Sequence, residues 1–211
     1  MSTHHGLLRI GTVIAAASVL AACGNGTTGN SPSSGGPTSA AAGGQTSTAT
    51  GASSGKAPKV TSPLPTEGLV ADPCSGLSTP QMTTLGLASP GEASTGQTGP
   101  TCQWHGTAAT SNKAFLNVIT ANQNGLSDIY AVNDRKPFAY FEPTQVDDYP
   151  GVYAESVDDR TNGFCSLLIG ATDQLAISVS VQLLTGPNKE HPCDSANKIG
   201  AAVIEHVKGA A

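Results

Sequence analysis

The feature that most constrains the fold of this chain is a set of four cysteines, Cys74, Cys102, Cys165 and Cys193. In an exported domain four cysteines form two disulfides, for which three connectivities exist. The members of each neighbouring pair lie 28 positions apart, and we favour two local bridges. The alternative is a zinc site that uses His105 or His191. We disfavour it because the sequence contains no C-x-x-C pair.

Export is indicated by the amino terminus. An apolar run from Ile10 to Leu20 follows a polar start and is too short to span a membrane, which is typical of a secretory signal. The run ends in Leu20-Ala21-Ala22-Cys23, which resembles the lipobox of bacterial lipoproteins. The resemblance implies a signal peptide over residues 1–22 and acylation of Cys23 by diacylglyceryl and palmitate-type chains. Two or more acyl chains anchor a protein stably, so we expect this chain on the extracytoplasmic face of the cell membrane.

The composition after Cys23 predicts a tether and one domain. Residues 23–67 hold the lipidated cysteine and a stretch rich in Gly, Ser, Thr and Pro that has no aromatic residue, which predicts disorder. The aromatic residues and the other four cysteines lie beyond it, and residues 68–211 are predicted to form a single domain. Removal of the signal leaves nine basic against 15 acidic residues. This balance disfavours a nucleic-acid partner, because phosphate contacts need cations.

Apolar periodicity predicts an α+β fold. Alternation predicts strands from Cys102, over 114–121 and 152–157, and a hairpin of 164–169 with 175–183. Helical spacing and caps predict helices over 80–85 and 126–135 and a last helix that ends near Val207. Residues 88–100 and 138–151 are predicted to be mostly loop. The predicted architecture is an antiparallel sheet with helices packed on one face and two disulfides that join helix to sheet.

Short motifs along the chain resemble a family of small actinobacterial lipoproteins known only as a domain of unknown function. The resemblance covers 71–207, and its motifs are Asp72-Pro73-Cys74, Leu77, Ser78-Thr79-Pro80, Leu85-Gly86-Leu87, Cys102-x-Trp104, Phe164-Cys165 and Pro192-Cys193. It implies a cell-envelope location and two disulfides. It implies no activity and no catalytic residue.

A proline-rich region offers a candidate binding surface of five rings, Phe138, Tyr140, Phe141, Tyr149 and Tyr153. Binding groups often lie on loops that a rigid scaffold holds. Beside acidic residues, these rings could line a groove for a glycan, a peptide or a partner protein. The alternative is that they pack over the open edge of the sheet and close it. The expected partners of the chain as a whole are an envelope protein, a glycan or a lipid. The acidic residues between Glu142 and Asp159 match a calcium loop poorly and are interpreted as a solvated face.

Catalytic motifs are weak. Ser195-Ala196-Asn197-Lys198 fits S-x-x-K, but the S-D-N and K-T-G elements that accompany it in serine enzymes are missing. We therefore predict no catalytic residue, no metal ligand and no cofactor. The leading hypothesis is a non-catalytic binding or interaction module anchored through Cys23. One alternative is a carrier of a lipid or other apolar ligand in a cavity between sheet and helices. Another is a small envelope hydrolase.

Overall fold

A computed structural model describes residues 56–210. The predicted signal peptide, Cys23 and most of the predicted tether lie outside the described residues. The helices are α1 (Glu67–Ala71), α2 (Thr79–Thr84), α3 (Leu126–Arg135) and α4 (Pro192–Gly209). The strands are β1 (Glu92–Thr95), β2 (Pro100–His105), β3 (Lys113–Ile119), β4 (Tyr140–Val146), β5 (Tyr149–Glu155), β6 (Phe164–Gly170) and β7 (Ala176–Gln182).

The seven strands form one antiparallel sheet in the order β1-β2-β3-β7-β6-β5-β4. Strand β7 therefore lies at the centre, between β3 and β6. Its alternating residues divide as the sequence predicts, with Ile177, Val179 and Val181 buried and Ser178 and Ser180 half-buried. The predicted class, α+β with an antiparallel sheet and two disulfides, is confirmed.

The main core lies between one face of the sheet and α4. Leu167 and Val179 of the sheet and Val203 and Ile204 of α4 have no exposed surface, so this interface is filled by side chains. Such close packing is normal for a protein interior. Within residues 56–210, none of the helices has both the length and the hydropathy that crossing a membrane requires.

Helix α3 packs on the opposite face of the sheet. Leu126 and Tyr130 form a second, smaller core with Val152 of β5, and Leu168 of β6 packs against it. Successive strand residues point to opposite faces, so Leu168 faces α3 while Leu167 faces α4. The helices thus cover both faces, whereas the sequence predicted them on one. The reason is that β5 and β6 carry apolar side chains on both of their faces, so each side of the sheet needs a helix to cover it.

The two disulfides have the pairing that the sequence favours. Cys74 is bonded to Cys102, with Cα atoms 5.0 Å apart, and Cys165 to Cys193, with Cα atoms 5.2 Å apart. The first joins a 3₁₀ turn at Pro73–Gly76 to β2, and the second joins β6 to the first turn of α4. Each bridge therefore fixes a helical segment on the sheet.

The region predicted as loop over 138–151 is a β-hairpin, so that prediction is wrong. Strands β4 and β5 are joined by Asp147 and Asp148, whose φ angles are +46° and +68°. Two residues with positive φ form the tight turn that suits the twist of paired strands. Pro143 is tolerated because β4 is an edge strand. The predicted loop over 88–100 likewise contains the exposed strand β1.

The folded domain begins before residue 68. Residues 57–64, here called the strap, lie against the β6–β7 turn. Asp173 accepts a hydrogen bond from the backbone of Val60 (3.1 Å) and pairs with the Lys59 ammonium (2.9 Å). The backbone N–H of Leu64 donates to the Ala171 carbonyl (2.9 Å), and the Leu64 side chain is buried. The carboxyl end of the predicted tether is therefore docked on the domain, by Val60 and Leu64 together with the bonds to Asp173 and Ala171.

Candidate functional site

A groove of about 420 Å³ lies where β2 turns into β3 and where β7 leaves the sheet. We call it the distal groove. Its apolar floor consists of Leu85, Leu87, Ala114, Val181, Leu183 and Ile199. Its polar rim includes Thr107, Asn112, Thr185, Asn188 and Ser195, and Lys113 is the ionisable residue among those that line it. This combination of an apolar floor and a few polar groups is typical of small-molecule sites.

Asn112 holds two walls of the distal groove together. Its side-chain oxygen accepts hydrogen bonds from the backbone N–H groups of Leu184 (2.9 Å) and Thr185 (3.1 Å). Its amide nitrogen donates to the Thr185 carbonyl (3.0 Å). These three bonds join the β2–β3 turn to the segment after β7. The groove is therefore formed before any ligand arrives.

A second set of bonds fixes the wall that follows α2. The Gly86 carbonyl accepts from the backbone N–H of Thr107 (2.9 Å) and from its hydroxyl (3.2 Å). Gly86 has a φ of +70°, a conformation that glycine adopts without strain. The Cys165–Cys193 bond fixes the fourth wall, because Ser195 lies in the first turn of α4. A preorganised site loses less entropy on binding.

The distal groove and the strap lie at opposite ends of the central strand. The strap contacts Ala171 and Asp173, just before β7 begins, and the groove is lined by Leu183 and Thr185, just after β7 ends. A strand of this length spans about 20 Å. The groove thus lies at the end of β7 opposite the end at which the strap docks.

The chain matches a known protein family. The sequence profile of one family, described as "Protein of unknown function (DUF3558)", matches residues 18–206. The chain belongs to the DUF3558 family. The match includes every motif on which the resemblance was based. Comparisons with curated proteins and with solved structures find no match. The DUF3558 description carries no activity.

The five rings predicted as a binding surface do not share one surface in this DUF3558 domain. Phe138 and Phe141 stack with centroids 6.1 Å apart and pack in the small core beneath α3. Tyr149 is buried in the main core, and Tyr153 packs against it and accepts a hydrogen bond from Asn197 (3.0 Å). The rings are separated because alternate residues of β4 and β5 face opposite sides of the sheet.

Tyr140 is enclosed as well. Its ring is buried, and the Arg160 guanidinium lies 4.1 Å from the ring centroid. Burial raises the pKa of Tyr140 to about 12, so the phenol stays neutral near pH 7. Arg160 pairs with Asp158 (2.7 Å) and Glu142 (2.8 Å), whose hydrogen bonds raise its pKa above the ordinary value. The predicted acidic stretch is thus partly neutralised by one arginine. Residues 56–210 contain no group of three or more metal-ligating side chains close enough to hold an ion.

Ser195 is half-buried and lines the distal groove. A nucleophilic serine needs an adjacent base. The residues that line the groove include neither a histidine nor a carboxylate, and Lys198 of the S-x-x-K pattern is not among them. In this arrangement Ser195 offers a hydroxyl to a ligand.

We predict that Asn112→Ala loosens the groove and destabilises the domain by about 1–2 kcal/mol, because three hydrogen bonds to backbone groups are lost. Amide hydrogen exchange at Leu184 and Thr185 should accelerate. Asn112→Asp is the matched control, because it keeps the oxygen that accepts two of the bonds, and it should cost less. Unchanged exchange at both amides in Asn112→Ala would show that Asn112 does not hold the wall.

Proposed function

We propose that this DUF3558 protein is a lipid-anchored lipoprotein on the extracytoplasmic face of the cell membrane. The proposal rests on the sequence Leu20-Ala21-Ala22-Cys23, which the family match includes. Two disulfides support it, since such bonds persist in oxidising compartments. An acidic chain also needs a lipid for attachment, because it offers little attraction to anionic headgroups.

The folded domain, in this proposal, is a non-catalytic binding module whose distal groove takes an apolar group of an envelope partner. The observation that carries it is the preformed groove at the end of the sheet opposite the strap. In a chain anchored through residues before the strap, this groove would lie at the end of the domain away from the attachment point. The groove volume of about 420 Å³ lies within the range of small-molecule pockets.

The carrier function is the second candidate. The interface between the sheet and α4 is filled, with Leu167, Val179 and Val203 fully buried. An apolar ligand would therefore bind in the distal groove, which is open to solvent. A carrier and a binding module then share one site, and they differ in whether the ligand is free or part of a partner protein.

An uncharged fluorescent probe, N-phenyl-1-naphthylamine, tests the groove. We expect the mature protein to bind it and Ala109→Phe to weaken binding at least about tenfold, because the new ring would occupy the groove. Ala121→Phe is the matched control, since Ala121 is exposed just after β3 at the strap end of the sheet. Equal weakening by both variants, or no binding by the unmodified protein, would refute the groove as the site.

A serine-directed fluorophosphonate distinguishes binding from hydrolysis. We expect no labelling of Ser195, because neither a histidine nor a carboxylate lies among the groove-lining residues and Lys198 of the S-x-x-K pattern is not one of them. Covalent labelling that Ser195→Ala abolishes would overturn the non-catalytic proposal and favour the hydrolase.

A further inference from the structure

Two aromatic rings, Phe115 and Phe164, belong to neither hydrophobic core. Phe164 is 37% exposed and Phe115 is half-buried. The other seven aromatic residues are buried or packed against a core, and they are Trp104, Tyr130, Phe138, Tyr140, Phe141, Tyr149 and Tyr153. Phe115 and Phe164, which pack in neither core, therefore lie outside the segment 138–153 in which the sequence predicted a binding surface.

Both rings lie on the same face of the sheet. Phe115 of β3 is opposite Ser180 of β7, and Phe164 of β6 is opposite Gln182 of β7. Ser180 and Gln182 are two residues apart and point to one side, away from α4. From the spacing of strands and residues, the Cα atoms of the two phenylalanines are about 12 Å apart. Helix α3 shares this face but packs over Val152 and Leu168.

Hydrogen-bonding groups surround the rings, and two of them are ionisable, Lys113, which lies opposite Gln182, and Glu155. Ser180 shares a hydrogen bond with Ser166 (2.7 Å), which also bonds to Glu155. On the other side of Phe115, Asn117 donates to Thr101 (2.7 Å). These side chains are held in place by one another, so the surface is ordered without a ligand. We call the area around Phe115, Asn117, Phe164, Ser180 and Gln182 the sheet platform.

We propose that the sheet platform binds a glycan chain. A sugar ring presents C–H groups that pack on an aromatic face and hydroxyl groups that pair with amides and hydroxyls, and the platform offers both kinds of partner. A Cα separation of about 12 Å suits an extended oligosaccharide that contacts both rings. This site lies on the face of the sheet opposite Val181 of the groove floor and does not depend on the groove, although Lys113 borders both.

Charge and polarity disfavour other classes of ligand. Single-stranded nucleic acid also stacks on aromatic rings, but it requires a positively charged groove, and this chain has a net charge of −5. A lipid surface requires a continuous apolar patch, whereas serine and glutamine separate these two rings. A glycan needs neither a positively charged groove nor a continuous apolar patch, so it is the ligand class that fits this surface.

Amide-resolved NMR of the purified mature protein tests the proposal with N-acetylchitotetraose, maltotetraose and an oligomannoside as probes. We expect at least one to shift the amides of Phe115, Phe164 and Ser180. Phe115→Ala and Phe164→Leu should each weaken binding at least about tenfold. Phe164→Leu keeps an apolar side chain at an exposed position, so it removes the ring without opening a core. Val70→Ala, at an exposed residue of α1, is the control and should bind normally.

Ala109→Phe separates this proposal from the distal groove. It should leave glycan binding unchanged even though it blocks the groove. The proposal is overturned if none of the three oligosaccharides binds at millimolar concentration, or if their shifts lie in the groove. It is equally overturned if single-stranded DNA or phosphatidylglycerol vesicles, and no oligosaccharide, bind through the two rings.

Discussion

Replacing Cys165 and Cys193 together with alanine should lower the free energy of unfolding by about 3–4 kcal/mol. The two residues close a loop of 28 positions, and the unfolded chain gains entropy when this constraint is lost. Urea unfolding of the double variant against the unmodified protein measures the change. A loss of this size is a large share of the stability of a domain, which is commonly 5–15 kcal/mol.

The Cys74 and Cys102 double alanine variant is the matched control, because its loop has the same separation of 28. We expect a similar loss of stability from both double variants. Only the Cys165 and Cys193 variant should also weaken binding of N-phenyl-1-naphthylamine, because this bridge fixes the start of α4, where Ser195 and Ile199 line the distal groove. A loss below about 1 kcal/mol for either pair would contradict the structural role of the bridges.

Cys23→Ala should move the protein from the membrane to the soluble fraction of a lipoprotein-processing bacterium. Each buried CH₂ of an acyl chain contributes about 0.8 kcal/mol to membrane attachment, so loss of the chains removes most of the attachment energy. Fractionation followed by intact-mass measurement should show the acyl mass on the unmodified protein and its absence from the variant.

Thr28→Ala is the control for Cys23→Ala, because it alters the stretch after Cys23 and leaves Leu20-Ala21-Ala22-Cys23 intact. It should remain acylated and membrane-bound. An unmodified protein that carries no acyl mass, or a Cys23→Ala protein that stays at the membrane, would refute the lipid anchor.

The parts of the fold that were predictable from sequence are those in which one face of an element is buried. The alternation in β7 places Ile177, Val179 and Val181 in the main core, as predicted. Helix α3 has the predicted bounds, and α2 begins with the capping box that Ser78 and Gln81 form. The equal spacing of the cysteine pairs also gave the correct disulfides.

Elements without such a pattern were missed. Strand β1 is exposed along its whole length, and β4 contains Pro143, so neither shows the alternation of a half-buried strand. The turn at Asp147 and Asp148 is also difficult to predict, because non-glycine residues rarely adopt positive φ. Asp147 and Asp148 join β4 and β5 into a hairpin, and the aromatic side chains of this hairpin pack against the rest of the domain.

The distal groove was not predictable for a different reason. Its walls come from four separate segments that only the folded sheet brings together. Asn112 bonds to Leu184 and Thr185, which lie 72 and 73 positions further along the chain. A single asparagine in a turn gives no sign of such distant partners. The two unpacked rings, Phe115 and Phe164, could have been found only after the packing of the other seven was known.

Methyl-resolved NMR of the mature protein, titrated with N-phenyl-1-naphthylamine, tests most directly whether the distal groove is the binding site. We expect shifts at the methyl groups of Val181, Leu183 and Ile199, which form part of the groove floor, and none at Val60 or Leu64 in the strap. Shifts centred on the strap, or on Leu167 inside the main core, would contradict the assignment of the site.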